Sequence, residues 1–166
     1  EYGYDGVELC ARAPHFTPYF WSTERAKELK GLADDLGVPI TGLGAFTNFG
    51  MPRHTQHDDR HKEYLCLRDL CKLAQVVGTS YIRIFAGWNG WFIPTDDPGP
   101  VYEKSDDTWQ RRRYDWAVEG LKEAAKIAQD HGIVLGLQNH PPVTMNYQEC
   151  NMIVRDIGMN SLRTAL

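Results

Sequence analysis

The stretch Ile133-Val134-Leu135-Gly136-Leu137-Gln138-Asn139-His140-Pro141-Pro142 decides the fold of this chain. Its mostly apolar first half, entered through Gly132, is too short for a helix. Pro141-Pro142 then bars both a helical continuation and central sheet pairing. The run therefore reads as a buried strand that stops abruptly at three polar side chains. In parallel α/β folds ligands bind at the C-terminal edge of the strands, whether the sheet is open or closed into a barrel. Gln138, Asn139 and His140 are on that ground the first site candidates.

Working outward, the junction at Gly132 recurs. Leu36-Gly37-Val38, Val77-Gly78-Thr79 and His131-Gly132-Ile133 each lead from helix to strand through one glycine, a residue suited to the left-handed helix end. Residues 3–9 read as a first strand carrying Glu8 near its far end. Ser22 caps a helix with Ala26, Leu29, Leu32, Ala33 and Leu36 at helical spacing, and residues 38–46 resume as a strand. A long helix begins at Asp58 or Asp59 and carries the stripe Tyr64, Leu65, Leu67, Leu70, Leu73, Ala74 and Val77. A strand over 80–88 follows, then a helix over 108–129 whose buried side is marked by Trp109, Trp116, Val118, Leu121, Ala124, Ala125 and Ile127. After the opening stretch come a short helix over 147–157 and a tail, 161–166, that reads as a strand cut short. Strands alternating with long helices imply right-handed crossovers and parallel neighbours.

Composition narrows the classes. Of 166 residues 42% are hydrophobic and 24% charged, the balance of one soluble domain with a real core. No apolar run approaches the roughly 20 residues of a membrane span, and residues 1–5 lack the marks of a signal peptide, so no membrane partner and a cytoplasmic location are expected. A formal charge of −4 gives no general attraction to phosphate backbones. Arg111-Arg112-Arg113 is the one basic run, and Asp106, Asp107 and Asp115 around it make a solvated face the better reading than an anion site; no nucleic-acid partner is expected. Cys10, Cys66, Cys71 and Cys150 form no CxxC pair and read as reduced packing residues.

Further candidates lie in the loops. Phe16, Tyr19, Phe20 and Trp21 crowd the segment between Ala11 and Trp21, either as a surface for stacking sugar rings or as a lid on the core. Trp88, Asn89 and Trp91 stand where the third strand meets a long loop, a good place to shape a sugar pocket. His54, His57 and His61 include an i, i+4 pair, but Asp58, Asp59, Arg60 and Lys62 beside them favour a solvated helix start.

Taken together, Gly3-Tyr4-Asp5-Gly6-Val7-Glu8-Leu9, the segment from Leu70 through Gly87, and Glu119-Gly120-Leu121-Lys122 leading to Gln138-Asn139-His140 resemble the sugar phosphate isomerase/epimerase group of the xylose-isomerase-like TIM barrels. The resemblance covers nearly the whole chain and implies a single partial domain over residues 1–166: an incomplete (β/α)8 TIM barrel of four to five β/α units. It implies a divalent metal, manganese, magnesium or zinc, at the barrel mouth, with Gln138 at the position of the first ligand. That position is usually glutamate in the group, and a carboxamide brings neither charge nor a general base near neutral pH. His140 is then the candidate acid/base, and Glu8, Trp88, Asn139 and His140 are the candidate contacts to a small-molecule sugar or glycoside; Glu8 could equally pair with Arg12 or Arg83. A complete barrel needs about 250 residues, so the expectation is a fragment of a longer enzyme, or a chain whose barrel is completed by a homo-oligomer or a second chain. The activity implied is metal-dependent isomerisation or epimerisation of a sugar or sugar derivative. A metal-dependent lyase or deglycosidase of the same superfamily, and a non-catalytic sugar-binding or assembly half-barrel, are the alternatives.

Overall fold

The computed structural model describes residues 3–49, 59–87, 107–141 and 143–165. They form β1(Val7–Ala11), α1(Thr23–Asp35), β2(Ile40–Ala45), α2(Asp59–Val77), β3(Tyr81–Phe85), α3(Asp107–Asp130), β4(Val134–Gln138), α4(Tyr147–Ile157) and β5(Leu162–Thr164). Each strand lies beside its predecessor in the order β1-β2-β3-β4-β5, and every pairing is parallel. Such an order is a singly wound sheet: crossovers of one hand put every helix on the same face. Accordingly α1 packs beside α2, α2 beside α3 and α3 beside α4. The alternating β/α units and parallel strands are those read from the sequence. Among the described residues no helix is long and apolar enough to cross a membrane.

Strand alternation assigns the two faces different chemistry. Leu43, Ile82, Ile84, Leu135, Leu137 and Leu162 are fully buried in the core beneath the helices. Each fully buried side chain of this kind contributes about 1.5–3 kcal/mol. The alternate positions, Glu8, Gly42, Gly44, Tyr81, Arg83, Phe85, Gly136 and Gln138, occupy the helix-free face. In register Glu8 lies opposite Gly42, Gly44 opposite Arg83, Arg83 opposite Gly136 and Phe85 opposite Gln138.

Helix ends follow the sequence closely. Ser22 Oγ accepts from the Arg25 amide at 3.3 Å and Asn146 Oδ1 from the Glu149 amide at 3.0 Å, satisfying donors that the first turn leaves open. Gly37, Gly78, Gly132 and Gly158 leave their helices with φ of +64°, +82°, +66° and +66°, a conformation costly for any residue with a Cβ.

Some readings of burial need correction. Leu32 and Leu36, expected on a buried stripe, are 55% and 67% exposed. The reason is topological: among the described residues β1 is an edge strand, so α1 has a helical neighbour on one side and none on its other flank. Val7, Leu9, Leu29, Leu32, Leu36 and Val38 line a groove of about 180 Å³ there. Leu65 is also 42% exposed. Arg60, read as part of a solvated helix start, is only 3% exposed and pairs with Glu119 on α3 at 3.3 Å. Trp116 is half-buried; Trp109 lies outside the residues whose side chains are described.

Candidate site at the strand ends

Arg83 organises the helix-free face. Its Nε donates to both carboxylate oxygens of Glu8 at 3.1 and 3.2 Å, and Nη2 donates to Glu8 Oε1 at 2.6 Å. Nη1 donates to Gln138 Oε1 at 2.7 Å. One guanidinium on β3 thus ties β1 to β4, and the planar fork is what makes so many bonds from a single side chain feasible. Side chains of Arg83 and Glu8 remain 22% and 36% exposed, so the pair is partly screened by water.

Glycines make this arrangement possible. A Cβ on Gly44 would sit 2.6 Å from Glu8 Oε1 and collide with Arg83 Nη2. A Cβ on Gly136 would sit 2.6 Å from Tyr81 Cζ and collide with its hydroxyl. Tyr81 and Arg83 therefore lie across neighbouring strands instead of standing off the sheet. Burial pushes the Tyr81 phenol above its ordinary value and the nearby Glu8 carboxylate adds to this, against a smaller opposite effect of Arg83.

An aromatic row borders the charged cluster. Phe85 meets the His140 ring at 4.7 Å between centroids and Phe46 at 5.6 Å, edge to face. Arg83 lies 5.4 Å from the Phe85 centroid and Arg12 lies 5.3 Å from that of Phe46. Thr47 pins the row: its Oγ1 donates to the Phe85 carbonyl at 2.6 Å and accepts from the Phe85 amide at 3.0 Å.

The loop after β4 fixes His140. The His140 amide donates to Thr144 Oγ1 at 3.1 Å and the Thr144 amide donates to the His140 carbonyl at 3.2 Å. His140 Nδ1 lies 2.6 Å from the Pro141 carbonyl. A carbonyl only accepts, so the neutral ring carries its proton on Nδ1 and its lone pair on Nε2. Asn139 Nδ2 donates to the Met145 carbonyl at 3.4 Å.

The structure therefore brings Glu8, Gln138 and His140 to one region, while Asn139 braces the loop to α4. Trp88, together with Asn89, Trp91, His54 and His57, lies outside the described residues. Of the aromatic loop, Phe16 is 3% exposed and meets Trp21 at 4.9 Å, so both close the core. Tyr19 instead lines a cavity of about 670 Å³ with Arg12, Phe46, Asn48 and Lys62 at the ends of β1 and β2. Of the two arginines that could pair with Glu8, the structure selects Arg83; its bond to Gln138 and the place of Phe85 were not read from the sequence. The signal was present: Tyr81-Ile82-Arg83-Ile84-Phe85 puts a charge at an alternate position of a strand with a neighbour on either side.

The residues described do not fit a divalent cation. Among them no three His, Cys, Asp or Glu side chains gather as a metal site. Gln138, the expected first ligand, spends its oxygen on the Arg83 guanidinium, and the Arg83–Glu8 pair beside it supplies no net negative charge to hold a metal ion. Burial pushes the Cys71 thiol up to about 12 and the Cys66 thiol up to about 11.

Comparison with known proteins agrees with this architecture. Residues 1–164 match the family described as xylose isomerase-like TIM barrel. Fructoselysine 3-epimerase of Escherichia coli O157:H7 is 29% identical over 150 residues, 88% of this chain and 48% of that protein. D-psicose 3-epimerase from Clostridium cellulolyticum H10, crystallised with D-tagatose, superposes with a TM-score of 0.69 at 23% identity, covering 98% of this chain and 53% of its own. The IolI protein with a bound zinc atom gives a TM-score of 0.72 at 15% identity, over 99% of this chain and 53% of its own. Those two likenesses speak to fold alone. This chain spans about half the length of the curated relatives it matches.

Proposed function

We propose, from the premise that this chain belongs to the xylose isomerase-like TIM barrel family, that its protein epimerises or isomerises a sugar or sugar derivative. The observation that carries this reading is the polar row Glu8–Arg83–Gln138, laid across the helix-free face beside the His140 ring. A polyol needs several fixed hydrogen-bonding groups next to apolar surface, and the row with Phe46 and Phe85 supplies both.

In this reading His140 moves the proton: its Nε2 lone pair takes a proton from the carbon beside the carbonyl as the C–H electron pair passes to the carbonyl oxygen, the N–H exchanges with water, and a proton is then returned to carbon as the C=O re-forms. Gln138 and Glu8 fix hydroxyl groups, the latter with Arg83 neutralising it. Trp88 and Asn139 complete the contacts to the sugar. A divalent cation, manganese, magnesium or zinc, belongs to this reading as a property of the whole protein. A cytoplasmic location is part of the same reading.

The test is exchange of substrate hydrogen. Incubated in D2O with D-fructose or fructoselysine, the protein is expected to place deuterium on a carbon beside the carbonyl and to form the epimer, both visible by NMR. His140→Ala should lower that rate by about 100-fold or more. Removing metal with EDTA and restoring manganese tests the cation separately. Unaltered sugars throughout would defeat the enzymatic reading. A non-catalytic sugar-binding or assembly half-barrel is favoured by one observation: the Glu8 carboxylate is held by Arg83 and Gln138 cannot act as a base, which leaves His140 without a second proton-transfer group in the row. Saturable sugar binding without exchange would select that alternative.

A further inference from the structure

A guanidinium donates and never accepts. Arg83 Nη1 stands 2.7 Å from the Gln138 side chain, so the atom it meets must be the carbonyl oxygen, and the amide cannot be flipped. Arg83 is itself immobilised by three contacts to Glu8 and by the glycine openings that receive it. The carboxamide is therefore held by its oxygen, with Nε2 at the other end. Glu8 cancels the charge of Arg83 and Gln138 adds none, so the row is neutral.

We propose that Gln138 is a hydrogen-bond donor to the ligand: Arg83 holds its oxygen, so Nε2–H is offered to a carbonyl or hydroxyl oxygen of a polyol, and position 138 excludes a cation. Arg83 is the positioning residue and Gln138 the specificity-determining one. The inference rests on the sugar reading for its ligand, but the orientation of the amide stands independently of it.

Heteronuclear NMR on the full chain separates the two. In the free protein a correlation across the hydrogen bond from Arg83 Nη1–H to the Gln138 carbonyl carbon is expected. Its absence while the Arg83–Glu8 correlation persists would overturn the orientation. On titration with D-fructose the Gln138 Nε2–H2 signals should shift. Gln138→Glu, which keeps an oxygen for Arg83 but turns the outer donor into an acceptor, should weaken D-fructose binding at least tenfold. Arg83→Met should weaken it comparably by releasing the amide, whereas Arg83→Lys, which retains a charged donor, should restore binding to within about threefold. Loss of the Arg83–Gln138 correlation on adding stoichiometric zinc, a diamagnetic ion, would show the oxygen serving as a metal ligand and overturn the proposal. If D-fructose shifts no resonance anywhere in the wild-type chain, the sugar reading fails and takes the ligand half of the inference with it, while the free-protein correlation still decides the orientation.

Discussion

Three glycines and one arginine account for most of what is distinctive about the helix-free face. Gly136 has no room for a methyl group beneath Tyr81, with the would-be Cβ 2.6 Å from Cζ. Gly136→Ala should therefore destabilise by about 1–3 kcal/mol, the usual cost of overpacking. Trimming the ring in the double variant Gly136→Ala, Tyr81→Leu should recover part of that loss, as urea unfolding of the single and double variants would show. Arg83→Met leaves the Glu8 carboxylate and the Gln138 oxygen without their donor. Because both ends of the pair keep some contact with water, we expect a loss of about 1–3 kcal/mol by urea unfolding, below the value for a fully buried pair. Sequence reasoning reached Glu8, Gln138 and His140 because each stands at a strand end. It named Arg83 only as one of two arginines that could pair with Glu8 and missed its bond to Gln138, because those partners sit 75 and 55 residues away in the chain and the choice needs the register.

At the level of elements, the boundaries were legible because local chemistry writes them. The helix over 147–157 is observed with those same limits, Asn146 at its start and Gly158 at its end. Asn146→Ala should cost about 1 kcal/mol, seen as a lower thermal midpoint, since it strips the Glu149 amide of its acceptor. Exposure was harder to read, because it depends on neighbours: Leu32 and Leu36 fit an apolar spacing on α1, yet no element packs on that flank among the described residues. The thiols of α2 give a pH signature. Burial keeps Cys71 protonated up to about 12, whereas an exposed thiol begins to ionise near 9.0. Above that pH the unfolded chain binds fewer protons than the folded one, so stability should be level below about 9 and fall as pH rises towards 12. Cys71→Ala should lower stability at neutral pH but flatten this alkaline decline, measurable as the change in urea midpoint between two alkaline buffers.

For the molecule as a whole, the sheet among the described residues has β1 and β5 at its edges, and the β1 side carries an apolar groove along α1. Exposed strand edges and apolar flanks seek partners. The 166-residue chain is therefore expected to sediment as an oligomer, and the charged double variant Leu32→Glu, Leu36→Glu should shift it towards monomer. A wild-type chain that sediments as a stable monomer would remove the case for an assembled barrel. The β/α repeat with parallel neighbours was readable from the repeated helix-glycine-strand junction and the barrel from the family resemblance, whereas the composition of the mouth was not, since it draws on several units at once. That junction has a consequence for how such a protein can change. The four left-handed glycines stand where the chain enters each following strand, and Gln138 and His140 stand where it leaves one. Replacing a loop at the exit end leaves the hinge that orients the next strand untouched, so new ligand preferences can be acquired, in evolution or by grafting, without re-solving the folding problem each time.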